Sequence, residues 1–249
     1  YKADLSKICI VRADDVVVVK CYHRAADAKR ELDVLSALLV GIDAKLRESL
    51  PELTGSCIAA PDAAAWPAAA IVKPFGRAFG PPSRFFSLKH LFQFVDILRW
   101  VHYKQFVHRD IRPANMLWVS QSRALLIDFS FAAKIDDAVP YGGTIKCAAP
   151  SVLRQLNTGA RRVKCTAASD LQSLVRSVLL LTQPHILHPV VHDRRNTDFS
   201  KLEDQWTDIF RRAPLCFSSA DAAGPSPMQT STAWTASPSP STPAPGSAA

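Results

Sequence analysis

Two apolar, β-branched runs open the chain at residues 8–11 and 16–22, parted by the polar Ala13-Asp14-Asp15, and predict a hairpin. From residue 25 to 39 the period becomes helical: Leu32, Leu35, Leu38 and Leu39 recur along one face, with Glu31 one turn before Leu35. Short strands are predicted at 57–60 and 69–73, before Pro74, Gly76 and Gly80-Pro81-Pro82 interrupt the chain and mark a boundary between two lobes. Beyond the break, Leu88, Leu91, Phe92, Val95, Leu98 and His102 trace one face of a long helix ending near Tyr103. Ser169 with Gln172 three residues on has the form of a capping box, and Leu171, Leu174, Val175, Val178 and Leu179 predict a strongly buried helix after it. The order is a small β-rich lobe followed by a larger helical one, an α+β class.

Composition narrows the picture. The 249 residues are 48% hydrophobic, with six Cys, nine Gly and 18 Pro, which excludes a miniature disulfide scaffold, a collagen and a wholly disordered chain. The cysteines contain no C-x-x-C pair, so neither a zinc ribbon nor a redox motif is readable; ordinary reduced thiols and an intracellular protein, cytoplasmic or nuclear, are the expectation. The longest apolar run, near Val175 to Leu181, is broken by Arg176 and Ser177 and falls short of a membrane span. Net charge is +8, with basic pairs at Arg161-Arg162, Arg194-Arg195 and Arg211-Arg212. These are not interleaved with aromatic residues, which argues for a solvated surface against a nucleic-acid groove. His185, His188 and His192 are separated by Pro184 and Pro189 and read as loop histidines rather than metal ligands. Residues 218–249 are Ser, Thr, Pro, Ala or Gly at all but four positions, which predicts a disordered tail.

The chemistry is concentrated in His108-Arg109-Asp110-Ile111-Arg112-Pro113-Ala114-Asn115, which fits H-R-D-x-x-x-x-N, followed by Ile127-Asp128-Phe129. At average residue frequencies those four fixed letters occur by chance in roughly one sequence of this length in a thousand. Phosphoryl transfer is mostly positioning and charge neutralisation, and it needs a carboxylate to orient a hydroxyl with oxygen ligands for metal nearby. From about Val16 to Leu181 the chain resembles the eukaryotic protein kinase family. The resemblance implies a two-lobed fold, both lobes short of full size, with lobes at 1–75 and 76–217 and the tail at 218–249. It implies ATP and Mg2+ as cofactors, Asp110 as catalytic base, and Asn115 and Asp128 as metal ligands.

Upstream, Val17-Val18-Val19-Lys20 resembles the V-A-I-K strand, so Lys20 is expected on the nucleotide phosphates with Glu31 as its partner. Downstream, the run from Gly143 and Thr144 to Ala149-Pro150-Ser151 resembles the end of an activation segment, which places Thr144 beside Asp110 and Arg112 at the substrate site. Ser169-Asp170-Leu171 resembles the start of the large lobe's central helix, where Asp170 would anchor the catalytic loop. Adenine is expected near 71–76, with Val18 above and Leu117 below. Arg112 stands where Ser/Thr kinases usually carry Lys, and its charge suits a transferring phosphoryl group.

The chain departs from the family pattern at several points. Residues 1–40 contain no glycine, hence no G-x-G-x-x-G loop, so either that loop lies upstream or nucleotide binding is weakened. Ser130 replaces the Gly after Asp128-Phe129, and Ser151 the Glu that pairs with a late Arg. Residues 131–140 hold no Ser, Thr or Tyr, which leaves two readings of Asp136 and Asp137: one of them supplies the charge that Arg109 would otherwise receive from a phosphate, or both are solvated loop carboxylates. The reading is an ATP-dependent protein kinase acting on Ser/Thr of a protein substrate; the alternative is a pseudokinase scaffold with weak or no transfer.

Overall fold

The computed structural model describes residues 6–12, 16–58, 68–80, 86–187 and 198–212. All lie in one compact unit, Tyr1–Pro214. The predicted hairpin forms from β1 (Ser6–Arg12) and β2 (Val16–Tyr22), in register from Ser6 opposite Tyr22 to Arg12 opposite Val16. Its polar tip, 13–15, lies outside the described residues. The helix α1 (Ala25–Leu39) follows, and Asp27, Ala28, Glu31, Leu32, Leu35 and Leu38 form its buried stripe. Asp27 and Glu31 are thus two carboxylates in an otherwise apolar stripe, positions that require partners, and Arg24 bonds Asp27 at 2.7 and 2.9 Å.

After the short helix α2 (Ala44–Arg47) come β3 (Glu52–Ile58) and β4 (Ala68–Lys73), completing an antiparallel sheet of order β1-β2-β4-β3. β3 begins five residues before the predicted strand because Gly55 absorbs a register shift between Leu53 and Gly55, and a bulge of this kind hides the alternation that signals a strand. Residues 59 and 60 of that prediction lie outside the described residues. Small side chains on β4, Ala68 and Ala70, let α1 approach and close a core with Tyr22, Ala28 and Leu32. Two residues beyond the short β5 (Arg77–Ala78) stands Gly80, whose φ of +65° is readily adopted only without a Cβ. Pro81 and Pro82 of the predicted break lie outside the described residues.

In α3 (Leu88–Tyr103) the buried stripe is His90, Phe94, Ile97, Leu98 and Val101, rotated from the predicted one: Leu98 is common to both, and Leu91 and Val95 are half-buried against the core. Phe92 is 65% exposed and Leu88 38%. Both stripes satisfy helical spacing, and the choice between them is made by packing against β8 and α5, which periodicity alone does not contain. The main core joins Leu35 and Leu38 of α1 to Phe94, Ile97 and Leu98 of α3 and runs on to Met116, Leu126, Phe129, Leu174 and Val178, so it continues across both halves of the unit.

The rest of the unit is built from β6 (Phe106–Val107), the hairpin β7 (Met116–Ser120) and β8 (Arg123–Leu126), β9 (Ala133–Lys134), β10 (Ala138–Val139), α4 (Pro150–Asn157), β11 (Val163–Lys164), α5 (Ala167–Thr182) and α6 (Phe199–Arg212). α5 starts at Thr166, not Ser169: Thr166 Oγ1 accepts from Ser169 N at 3.3 Å and Ser169 Oγ accepts from Thr166 N at 3.1 Å. Gln172 therefore plays no part in the cap. Leu174, Val178 and Leu179 are buried as predicted, but Leu171 and Val175 are each 39% exposed. A second core gathers Val107, Val152, Leu153, Val163 and Leu179 around Leu202 and Trp206 of α6. Among the described residues no helix is long and apolar enough to cross a membrane, and no group of metal-ligating side chains stands together. His188 and His192, and the tail from 218, lie outside the described residues.

Candidate active site

Lys20, on β2, reaches both Glu31 oxygens, at 2.9 and 2.7 Å, and Asp128 Oδ1 at 2.8 Å. All three ammonium donors are used. Burial pushes the Lys20 ammonium down, but the charges of Glu31 and Asp128 outweigh it and its pKa is raised. Burial would likewise lift the Asp128 carboxyl, yet the charge and hydrogen bond of Lys20, with a 2.6 Å bond donated by the Ser130 hydroxyl, bring it down to about 2. The predicted Lys20–Glu31 pair therefore forms, and Asp128 joins it. Tyr22, which the sequence reading did not single out, is also at the site: it is buried and its ring lies 5.3 Å from the Lys20 ammonium.

Asp128 has a φ of +69°, whereas Ser130 sits in the 3-10 turn Phe129–Phe131 without a left-handed backbone, so Ser in place of Gly is accommodated there. Phe129, fully buried, lies 4.7 Å from the His108 ring. His108 Nε2 faces the Ile127 carbonyl at 3.0 Å and Nδ1 accepts from Asp110 N at 3.3 Å, which places the ring proton on Nε2. The loop 108–115 is thereby tied to the segment that carries Asp128.

Asp110 is buried and receives two hydrogen-bond donors, with a guanidinium paired beside them. Thr144 N reaches Oδ1 at 2.7 Å and Asn115 Nδ2 reaches Oδ2 at 3.1 Å, while Arg112 Nε forms an ion pair with Oδ2 at 3.2 Å without a hydrogen bond. The contribution of Thr144 is its main-chain N–H. Asn115 also donates to the Asp110 carbonyl at 2.8 Å, so its amide nitrogen is committed and its carbonyl oxygen is the end left to accept or ligate. Asp170, at the start of α5, accepts from the backbone N–H groups of His108 at 2.7 Å and Arg109 at 2.9 Å, with His102 Nε2 at 3.0 Å. Two of these three donors belong to the loop and hold it to the central helix, while His102 ties the same carboxylate to α3.

Arg109 does not meet Asp136 or Asp137, so of the two readings from sequence the charge-supplying one fails and the solvated-carboxylate one holds. Its guanidinium donates to the carbonyls of Phe131 at 3.1 Å, Val139 at 3.4 Å and Pro140 at 2.8 Å, while Asp136 and Asp137 are exposed. Main-chain carbonyls take the place of an anion because β9 pairs with β6 and β10 with β11, drawing that stretch of backbone across the guanidinium.

Val18 lies on β2 opposite Val72, and Leu117 on β7 packs against Gly76: a Cβ added at Gly76 would lie 2.9 Å from Leu117 Cβ. The expected adenine-lining positions thus border the same inter-lobe stretch, 71–76. Hard oxygen donors on Asp128 and Asn115, one of them held ionised, suit Mg2+, and the buried ammonium of Lys20 beside them suits phosphate.

A family model described as the protein kinase domain matches residues 87–233. The rat serine/threonine-protein kinase TAO3 is 26% identical over 122 residues, 46% of this chain and 13% of that protein, and the mouse protein matches equally. A probable serine/threonine-protein kinase of Dictyostelium discoideum is 29% identical over 154 residues, 55% of this chain and 30% of that protein. The chain belongs to the protein kinase domain family, with the two-lobed α+β fold that family implies. Its matches span at most 30% of those relatives' own lengths.

Proposed function

We propose that this chain is a Mg2+- and ATP-dependent protein kinase that transfers phosphate to Ser or Thr of a protein substrate inside the cell. Its lobes would meet near residue 75, with residues from 218 as a tail. The observation that carries the reading is Asp110: a buried carboxylate with Asn115, Arg112 and the Thr144 N–H upon it, on a loop whose His108 is bonded to the segment bearing Asp128.

When bound, Mg2+-ATP supplies the transferable phosphoryl group and the metal charge that offsets its negative oxygens. Asp110 would orient the substrate hydroxyl and accept its proton through Oδ2. Arg112, whose Nε lies on that same oxygen, would stabilise negative charge developing beside it. Asn115 and Asp128 would hold the metal, Lys20 would meet the phosphates, and Glu31 with Tyr22 would keep the Lys20 ammonium in place. The Ser/Thr assignment is supported by the relatives' descriptions and by the positive Arg112 two residues after Asp110.

A kinase-like scaffold with little transfer is favoured by one observation, the lack of any glycine in residues 1–40. Thermal-shift titration with ATP, with and without Mg2+, separates the two. The kinase reading expects stabilisation that requires Mg2+ and is lost in Asp128→Asn; no shift at millimolar ATP favours the scaffold.

A further inference from the structure

Trp206 and Arg176 are the largest fully buried side chains among the described residues. A guanidinium in the middle of α5 costs solvation that an apolar side chain of similar volume would not. Its compensation is specific. Arg176 Nη1 donates to the Ala148 carbonyl, and the Trp206 ring lies 4.9 Å from its Cζ. Glu203, one turn before Trp206, is held by Arg154 at 2.5 Å. The indole of Trp206 donates through Nε1 to the Lys146 carbonyl at 3.0 Å. Side chains from α5 and α6 therefore grip alternate carbonyls, 146 and 148, of one short stretch.

That stretch is stiff and leads directly to the candidate active site. Cys147 N bonds Thr144 O at 3.1 Å and Ala148 N bonds Ile145 O at 3.0 Å, closing a 3-10 turn, and the Thr144 N–H at its head lies on Asp110 Oδ1. On the other side of Asp110, Ser177, the residue after Arg176, shares its one hydroxyl hydrogen between the Ser173 carbonyl at 2.7 Å and the Ile111 carbonyl at 3.0 Å. The site is held to α5 from both sides. Residue 151, a Glu in the family motif, is Ser151 here, so that position offers no carboxylate to anchor the segment's end.

We propose that Arg176 and Trp206 are positioning residues: together they hold the 144–148 turn so that the Thr144 N–H meets Asp110 and the turn presents a fixed surface to the chain flanking the substrate hydroxyl. The statement about substrate rests on the kinase reading; the statement about the turn does not. Trp206→Phe keeps a ring over the guanidinium and removes only the indole donor. Arg176→Met keeps the volume and removes the charge and its bond.

The test is amide hydrogen exchange by NMR on the full 249-residue chain for the wild type and both variants. The Thr144 amide should exchange about tenfold faster in each variant, while amides of Ile97 to Val101 in α3 keep wild-type protection. Unchanged exchange at Thr144, or acceleration only in step with the α3 amides, overturns the proposal. If Arg176→Met does not fold, Trp206→Phe alone decides. In peptide phosphorylation, the KM for ATP should stay constant while kcat/KM for peptide falls. A wild type that transfers no phosphate yet shows the local change at Thr144 refutes the kinase reading and upholds the anchor.

Discussion

Lys20 and Asp128, separated by 108 positions in sequence, meet at 2.8 Å, with Glu31 bound to the same ammonium from α1. One cation thus bridges the buried Glu31 carboxylate and the half-buried Asp128 carboxylate. Removing it leaves like charges in low dielectric, so Lys20→Met should destabilise the fold by about 3–5 kcal/mol, and adding Glu31→Gln should restore part of that loss. Urea denaturation of the two single variants and the double variant measures the coupling. Additive losses would mean that the three groups do not act as a unit.

The Asp128 carboxyl gives a pH signature. Its folded pKa, about 2, lies below the ordinary 3.8, so the ionised form is favoured by folding. That contribution is fully present above about pH 5, falls as pH drops through 3.8 toward 2, and amounts to about 2 kcal/mol. Between pH 5 and 2 the wild type should lose more stability than Asp128→Asn, which has no proton to take up. Parallel melting curves for the two proteins over that range would contradict the account.

Asp170 should matter more than any surface acid. Asp170→Asn retains the shape but replaces a charged acceptor of two backbone N–H groups with a neutral one, and should cost about 2–3 kcal/mol. Faster amide exchange at His108 and Arg109 would accompany the loss, and can be read in the same sample.

Gly143 tests the approach of the activation segment to the loop. A Cβ there would overlap the Arg109 carbonyl oxygen and crowd the Tyr141 hydroxyl. Gly143→Ala should lower stability by about 1–3 kcal/mol and weaken the protection of the Thr144 amide. Gly41→Ala, strained by its φ of +67° but in open space, should leave the Thr144 amide unchanged.

The site was legible in sequence where a motif fixes residues at constant separation. Asp110, Asn115 and Asp128 sit on a short loop and hairpin, so spacing alone brings them together, and Lys20 and Glu31 follow from a strand leading into a helix. What spacing does not encode is which of two equally periodic faces is buried. For this reason the stripe of α3 was misplaced toward Leu88 and Phe92, and Leu171 and Val175 of α5 were read as core. Interactions made by main-chain atoms were also hidden: the Arg109 guanidinium binds carbonyls contributed by strand pairing, and no side-chain pattern announces that. Arg176 registered only as a break in an apolar run, because its partners are a carbonyl and an indole from distant segments.

The central claim is that Asp110 serves phosphate transfer, and incorporation of labelled γ-phosphate into a Ser/Thr peptide library, wild type against Asp110→Asn, tests it most directly. The account predicts Mg2+-dependent labelling by the wild type that falls by about 100-fold or more in Asp110→Asn, with the variant's melting temperature and ATP-induced shift retained. Wild-type labelling no greater than that of Asp110→Asn would contradict it.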